Sequence, residues 1–371
     1  MRGRRQHLTR YATAAALVGA MALGVAETPL GATGDATEEP PVADVMVLRF
    51  GGADRFETSV LTTEAFTDFK GDHLEQVMIV SGYKWHDAVI AAPFDSPVLL
   101  TRRHEVPQAT MDYLRRFDAP WPTIISTKAI SPAVDQQLKD IGLEVMRIEG
   151  SDQFRTSVAV ANFYGFVGQY QGWRTVILAS GQVFADALVA GQLSARENLP
   201  ILLTPPNSLH SAAREHLMSY DVQQVIIMGG TAAVSERVEE SIENMGIRVL
   251  RFAGETRFET AVHTARVTRP LQCWRDGEGI AVGLTRAWVP YDAFSAAPML
   301  ARYGAPLLLT HPDELPQATM DYLDELRIAQ AKCDDAPVKL IVIGGEAAVS
   351  QAALDAYLQR DAKVISADEQ S

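Results

Sequence analysis

The sequence predicts an α/β protein of three tandem units, each a parallel sheet with helices on both faces. Three observations carry the sheet and its repetition. One arginine–glycine motif occurs three times, about a hundred residues apart, well beyond the roughly 20–50-residue period of solenoids. The strand candidates are apolar runs without polar alternation, as in strands buried on both faces. Each is followed by a helix-spaced segment, the rhythm that parallel strands need for their crossovers.

The motif runs from Arg49 through Gly52, Asp54, Arg55 and Phe56 to Thr58. It returns from Arg147 to Thr156 and from Arg251 to Thr260. In the second copy, Leu143–Ile148 reads as a strand, the segment from Gly150 to Gln153 as a turn, and Thr156–Tyr164 as a helix. The β-branched run Trp173–Ala179 is a buried strand, ended by Ser180-Gly181 and followed by a small-residue helix, Ala187–Ala195. Pro200–Thr204 is a second buried strand, Ser211–Ser219 a helix and Gln224–Met228 a strand. The turn Gly229-Gly230 then leads into the helix Ser235–Met245. The other copies repeat these landmarks, except that Ser126–Ser131 replaces the glycine pair in the first and is one residue shorter. Ala362–Ser366 resembles the strand before each motif, so four such strands serve three copies and one of the outer two is expected to be a cap. The domains expected are 44–146, 147–249 and 250–367.

Arg2, Arg4, Arg5 and Arg10 precede a short apolar run from Tyr11 to Ala26. That pattern describes a secretory signal peptide over residues 1–26, followed by a Pro-, Gly- and Thr-rich linker over 27–43. The protein is therefore expected to be exported, with no membrane span after cleavage. The formal charge is −13, and losing the basic leader makes it more negative. Nucleic acid is an unfavourable partner for such a surface. Cys273 and Cys333 both lie in the third copy, and export makes a disulfide between them an expectation; two buried thiols are the alternative. With only two Cys and no His at ligand spacing, neither a metal nor a cofactor is expected.

Several positions recur. Arg55 and Arg257 head helices, where a guanidinium could hold a phosphate or carboxylate with help from the helix terminus. The preferred reading is structural: each pairs with the aspartate opening the next motif, Asp87 or Asp292. In the second copy Gln153 stands in that place, and Arg155 could serve Asp186. Asp87, Asp186 and Asp292 each begin an Ala-rich helix and read as N-caps. A catalytic carboxylate would need a partner acid, base or metal at a fixed offset, and none recurs. Trp85 and Trp288, at the motif mouths, could stack on a sugar ring or simply pack. Three like units without a catalytic set suggest a multivalent binder.

The triple Arg-x-x-Gly-x-Asp-Arg-Phe-x-Thr motif, the turns leading to Asp87, Asp186 and Asp292, the Pro-x-Leu-Leu-Thr strands and the Gly-Gly-x-x-x-Val-Ser turns resemble the cell wall binding repeat 2 family over about residues 44–367. The resemblance implies three Rossmann-like α/β units packed as a pseudo-threefold trimer within one chain, and an exported, non-enzymatic protein of a Gram-positive surface, attached non-covalently to an anionic cell wall polymer or glycan and monomeric. It carries over as ligand-binding Pro97, Leu99 and Leu100, Pro200, Leu202 and Leu203, and Pro306, Leu308 and Leu309. Arg55, Arg257, Asp87, Asp186 and Asp292 join them. Relatives often join the triple repeat to another module, and here an anchor without cargo is expected. An exported enzyme acting on wall glycan or peptide is the alternative; it should concentrate unusual polar residues in one copy, and the third-copy insertion Leu271–Gly279 holds no catalytic set. A self-assembling structural protein is a further alternative.

Overall fold

The computed structural model describes residues 42–70, 76–116, 121–165, 168–268, 279–288, 291–333 and 336–368. The expected signal segment, the linker up to residue 41, Cys273 and all of the Leu271–Gly279 insertion but its last residue lie outside them. Ala43, placed at the end of the linker by sequence, is instead buried: its amide donates to Arg327 O and its carbonyl accepts from Arg327 Nε. The ordered fold therefore starts at least one residue before the expected boundary.

In chain order, β1 (Val45–Phe50) leads to α1 (Arg55–Lys70), β2 (Gln76–Ser81), α2 (Trp85–Ile90), β3 (Val98–Thr101), α3 (Gln108–Arg116), β4 (Trp121–Ser126), α4 (Pro132–Asp140) and β5 (Met146–Glu149). The second passage runs α5 (Gln153–Tyr164), β6 (Gly168–Tyr170), β7 (Trp173–Ser180), α6 (Phe184–Glu197), β8 (Ile201–Thr204), α7 (Ser211–Ser219), β9 (Gln224–Met228), α8 (Glu236–Glu243) and β10 (Arg248–Phe252). The third runs α9 (Arg257–Thr268), β11 (Ala281–Arg286), α10 (Ala296–Arg302), β12 (Leu307–Thr310), α11 (Gln317–Ala331), β13 (Val338–Ile343) and α12 (Gln351–Asp368).

The strands form three sheets of one order: β3-β2-β4-β5, β8-β7-β9-β10 and β12-β11-β13-β1. All pairs are parallel except β6, which lies antiparallel on the first residues of β7. The central strands are buried along nearly their whole length, as a sheet covered by helices on both faces requires.

The motif is where the chain leaves one unit for the next. β5 edges the first sheet, but the helix after it, α5, packs on β8 of the second; β10 and α9 repeat the step into the third. The third sheet takes its edge strand from the other end of the chain: β1 pairs with β13, Arg49 opposite Val342 and Phe50 opposite Ile343. The strand expected over Ala362–Ser366 is accordingly not formed, and those residues lie in α12. The seat beside β13 is already filled, so a further strand has no partner there.

Each unit touches the other two through small-residue helices. In α6 every residue from Ala185 to Ala195 is buried, the pattern of a helix enclosed on all sides. Ala92, Ala195 and Ala297, one from each unit, form a separate buried cluster. Buried hydrogen bonds cross between units as well, from Thr62 Oγ1 to Ser295 Oγ at 2.9 Å and from Gln192 Nε2 to Ala305 O at 2.8 Å. Among the described residues no helix is long and apolar enough to cross a membrane.

The closure is open to direct test. Val338 N donates to Asp44 O and Gly344 N to Phe50 O, so a chain beginning at Gly51 leaves both amides unpaired. Hydrogen exchange should accelerate along Val338–Gly344 and stay slow in β2 and β4. Uniform protection in both chains would refute the role of β1 as the closing strand.

Candidate functional site

The motif's conserved chemistry within the chain is mostly spent on its own turn. Its first arginine reaches back to the turn before it: Arg49 Nη1 donates to Gly344 O and Val349 O, and Arg251 Nη1 to Gly229 O and Val234 O. Arg147 does the same toward Ile130 O and adds an ion pair with Asp135. The motif glycine's amide donates to the motif threonine in every copy, Gly52 to Thr58, Gly150 to Thr156 and Gly254 to Thr260, all at 3.0–3.1 Å. Asp54 Oδ1 accepts from Phe56 N and Glu57 N, and Asp152 Oδ1 from Arg155 N. Such N-caps typically stabilise a helix by ~1 kcal/mol.

The second arginine does what sequence did not foresee. Among the described residues no ion pair joins Arg55 to Asp87 or Arg257 to Asp292. Arg257 instead bridges two units: Nη1 donates to Ala287 O of its own unit at 3.1 Å, the guanidinium lies over the Trp288 ring at 4.9 Å, and its charge acts on Asp186 of the preceding unit. Arg55 bridges the third and first units. It donates to Gly82 O at 2.8 Å and lies between the rings of Tyr83, at 5.1 Å, and Tyr291, at 3.7 Å. Pairing within a copy fails because the motif straddles a boundary, so Arg257 meets Asp186 of the unit before and Arg55 the Tyr291 ring.

Where Gln153 replaces the arginine, the preceding unit fills in. His86 Nε2 sits 2.9 Å from Gly181 O, the position equivalent to Gly82 O and Ala287 O. A carbonyl only accepts, so this nitrogen carries the proton. Burial lowers the His86 pKa, against the raising effect of that hydrogen bond and together with Lys84. Arg155, expected to serve Asp186, pairs with its own cap Asp152 at the surface.

The three aspartates are not N-caps. The α2 cap position is Lys84 and the α6 cap position Val183, neither with a side-chain bond, and Asp87 and Asp186 sit inside the first turn. Each faces the turn of its own unit. Asp87 Oδ1 accepts from Thr127 N at 3.0 Å, and the Asp186 and Asp292 carboxylates lie so close to Gly229 and Gly344 that a Cβ there would meet them at 2.4 and 3.0 Å. Both glycines have φ +102°, a conformation only glycine adopts freely. Asp87 is fully buried and its Oδ2 has no hydrogen-bond partner. Burial raises its pKa to about 7, against the Thr127 bonds and Lys84, with Glu149 adding to the rise. Burial also raises Asp186, opposed by Arg257.

The Pro-x-Leu-Leu strands are core. Leu99, Leu100, Leu202, Leu203, Leu308 and Leu309 are at most 1% exposed. Pro97, Pro200 and Pro306 are also buried, each lending its carbonyl to Met78 N, Ile177 N or Gly283 N. Proline suits the first position of such a strand, where no N–H is required. These side chains offer nothing to a polymer at the surface. The exposed groups at the junction mouths are instead Tyr83, at 52%, and Trp288, at 41%, whereas Trp85 is half-buried and stacks on His86 at 3.7 Å. Between the second and third units a cleft of about 270 Å³ is lined by Asp186, Gly230, Glu255 and Arg257, among others. A larger groove of about 600 Å³ adjoins it, with His263, Arg266 and Asp321 in its walls.

The arrangement defines a class first: a ring of three α/β units with a polar junction at each seam. The family follows from comparison. The profile of Cell wall binding domain 2 (CWB2) matches residues 49–135, 147–239 and 251–354, and the chain belongs to that family. It is 28% identical over 279 residues to the N-acetylmuramoyl-L-alanine amidase LytC of Bacillus subtilis, covering 74% of this chain and 52% of that protein. Against the amidase enhancer of the same organism it is 28% identical over 276 residues, covering 73% and 35%. The chain thus spans about half or less of these relatives. The solved structures of Cwp6 and Cwp8 from Clostridium difficile superpose with TM-scores of 0.70 and 0.67 at 23% identity, covering 87% and 85% of this chain and 49% and 51% of theirs. They share its fold.

The buried carboxyl gives a pH test. A raised folded-state pKa means that the contribution of Asp87 is fully present below the ordinary carboxylate range and is lost as pH rises through about 7. Asp87→Asn keeps the acceptor for Thr127 N and removes the charge. It should match the native chain near pH 4 and exceed it above pH 8 by about 2–4 kcal/mol, read from urea unfolding at each pH. A difference independent of pH would contradict the buried-carboxyl account.

Proposed function

We propose that this protein is an exported anchor that holds non-covalently to an anionic secondary polymer of a Gram-positive cell wall, as a monomer. The observation that carries the proposal is the CWB2 match in all three units. Three sites on one rigid chain raise avidity without any one being strong. The polymer contacts fall to the junction loops and their exposed rings, Tyr83 and Trp288, with Arg257 at the open cleft, because the leucine strands carried over from the resemblance are enclosed.

The same geometry argues for binding rather than catalysis. Asp87, Asp186 and Asp292 each face backbone, and the histidine beside Asp87 is turned to Gly181 O. Likeness to an amidase extends over only about half of that protein, so it supports a shared wall-binding part.

Purified walls give the test. The mature chain, residues 27–371, should co-sediment with Gram-positive walls and lose that binding once acid has stripped their secondary polymers. Retention on stripped walls would point to peptidoglycan and to the enzyme alternative; no sedimentation with either would sink the proposal. Export also bears on the cysteines: Cys333 is not free, and we propose Cys273, the only other cysteine, as its partner. Reduction should then raise the intact mass by about two hydrogens; an unchanged mass would exclude the bridge.

A further inference from the structure

The three units are alike in backbone but differ in charge along the edge where ligands of parallel α/β sheets bind, the carboxyl ends of the strands. In the first unit the loops after β2, β3 and β4 carry Lys84, Arg102, Arg103 and Lys128 against Asp87 and Glu105. The equivalent loops of the second unit carry no Lys or Arg, and Pro205, Pro206 and Gly230 stand there. Those of the third carry Asp292, Asp313, Glu314 and Glu346; a basic residue, Arg286, ends β11 and donates to Ala347 O at that edge. Register is secured by backbone bonds: Ser131 N donates to Arg103 O, Ser235 N to Pro206 O and Ser350 N to Pro312 O.

The basic loops form one surface. Ser131 N and Oγ meet Arg103 O at 2.7 Å and His104 Nδ1 at 3.0 Å, joining the second loop to the third. Thr127 N meets Asp87 Oδ1, joining the third to the first, and the Lys84 charge acts on the same carboxyl. Arg102 lies over Phe56 at 4.9 Å, beside the helix that begins with Arg55. Lys84, Arg103 and Lys128 are exposed. Lys128 holds φ +63°, a left-handed conformation that costs a side-chain-bearing residue more than glycine.

We propose that this basic edge of the first unit is where the anionic groups of the wall polymer dock, so that the three units are not interchangeable in binding. The inference rests on the anchoring function proposed above and adds which unit meets the charge. On a chain of formal charge −13, a polyanion is repelled by the acidic third edge and drawn to the first.

The probes are a synthetic polyglycerol phosphate oligomer and polygalacturonate, titrated calorimetrically into the full chain at several salt concentrations. The triple variant Lys84→Gln, Arg103→Gln, Lys128→Gly should weaken binding by about ten-fold or more and flatten its salt dependence. Its melting temperature should not fall, since glycine relieves the strain at 128. Neutralising the third edge by Asp313→Asn and Glu346→Gln should change affinity by less than about two-fold, because little of the binding charge lies there. Native-like affinity in the triple variant, or no binding of either polyanion by the native chain, would overturn the proposal. Wall co-sedimentation separates the two readings: walls held equally by native and triple-variant chains overturn the basic edge and leave the anchor standing. Oligomer binding lost in the triple variant, with walls ignored by both chains, overturns the anchor and leaves the edge.

Discussion

Everything in this fold depends on how the outermost strand of each sheet is supplied. A parallel strand cannot be reached by a tight turn; the chain must cross over. Here it crosses only as far as the next unit. β5 and β10 each finish one sheet and hand the chain to a helix that covers another, and β1 finishes the last sheet from the far end of the sequence. The ladder bonds, the helix caps and the arginine that holds the preceding turn all sit within the same dozen residues. Stability and connection are thus built by the same motif.

Placing the motif on a seam explains the site. Its second arginine has one unit's backbone carbonyl on one side and the other unit's aspartate or aromatic ring on the other. The seams share this plan and differ in execution. One arginine is pressed against Tyr291, another opens on a cleft beside Asp186, and the third is replaced by a histidine from across the boundary. Charge varies further out, on the loops, where substitutions cost little packing. A conserved frame and divergent rims are what a repeat protein needs if its copies are to specialise without losing the fold.

The sequence made the α/β class, the repeat and most elements legible, because buried parallel strands write themselves as apolar runs and the motif keeps its arginine, glycine, phenylalanine and threonine in all three copies. Ser211–Ser219 and Gln224–Met228 fall where periodicity puts them. Three things were not legible. The short β6 has too few residues to show a period. Ala362–Ser366 has the composition of a strand but finds its seat occupied, a fact of topology that no local pattern records. The partners of Arg55 and Arg257 lie across seams, so spacing along one copy pointed to the wrong aspartates. The leucine strands were read as ligand-binding by likeness alone; their burial was already implied by their unbroken apolarity. His86 left one signal, the loss of arginine at Gln153, which calls for a donor from somewhere.

Most repeat architectures are open-ended: a unit can be added or lost at either end, and the array merely lengthens or shortens. The pairing of β1 with β13 removes that freedom. A unit added after the third could not supply the strand beside β13, a seat that β1 already fills. Change is then channelled into the loops, and three becomes a fixed count within which each copy can acquire its own role.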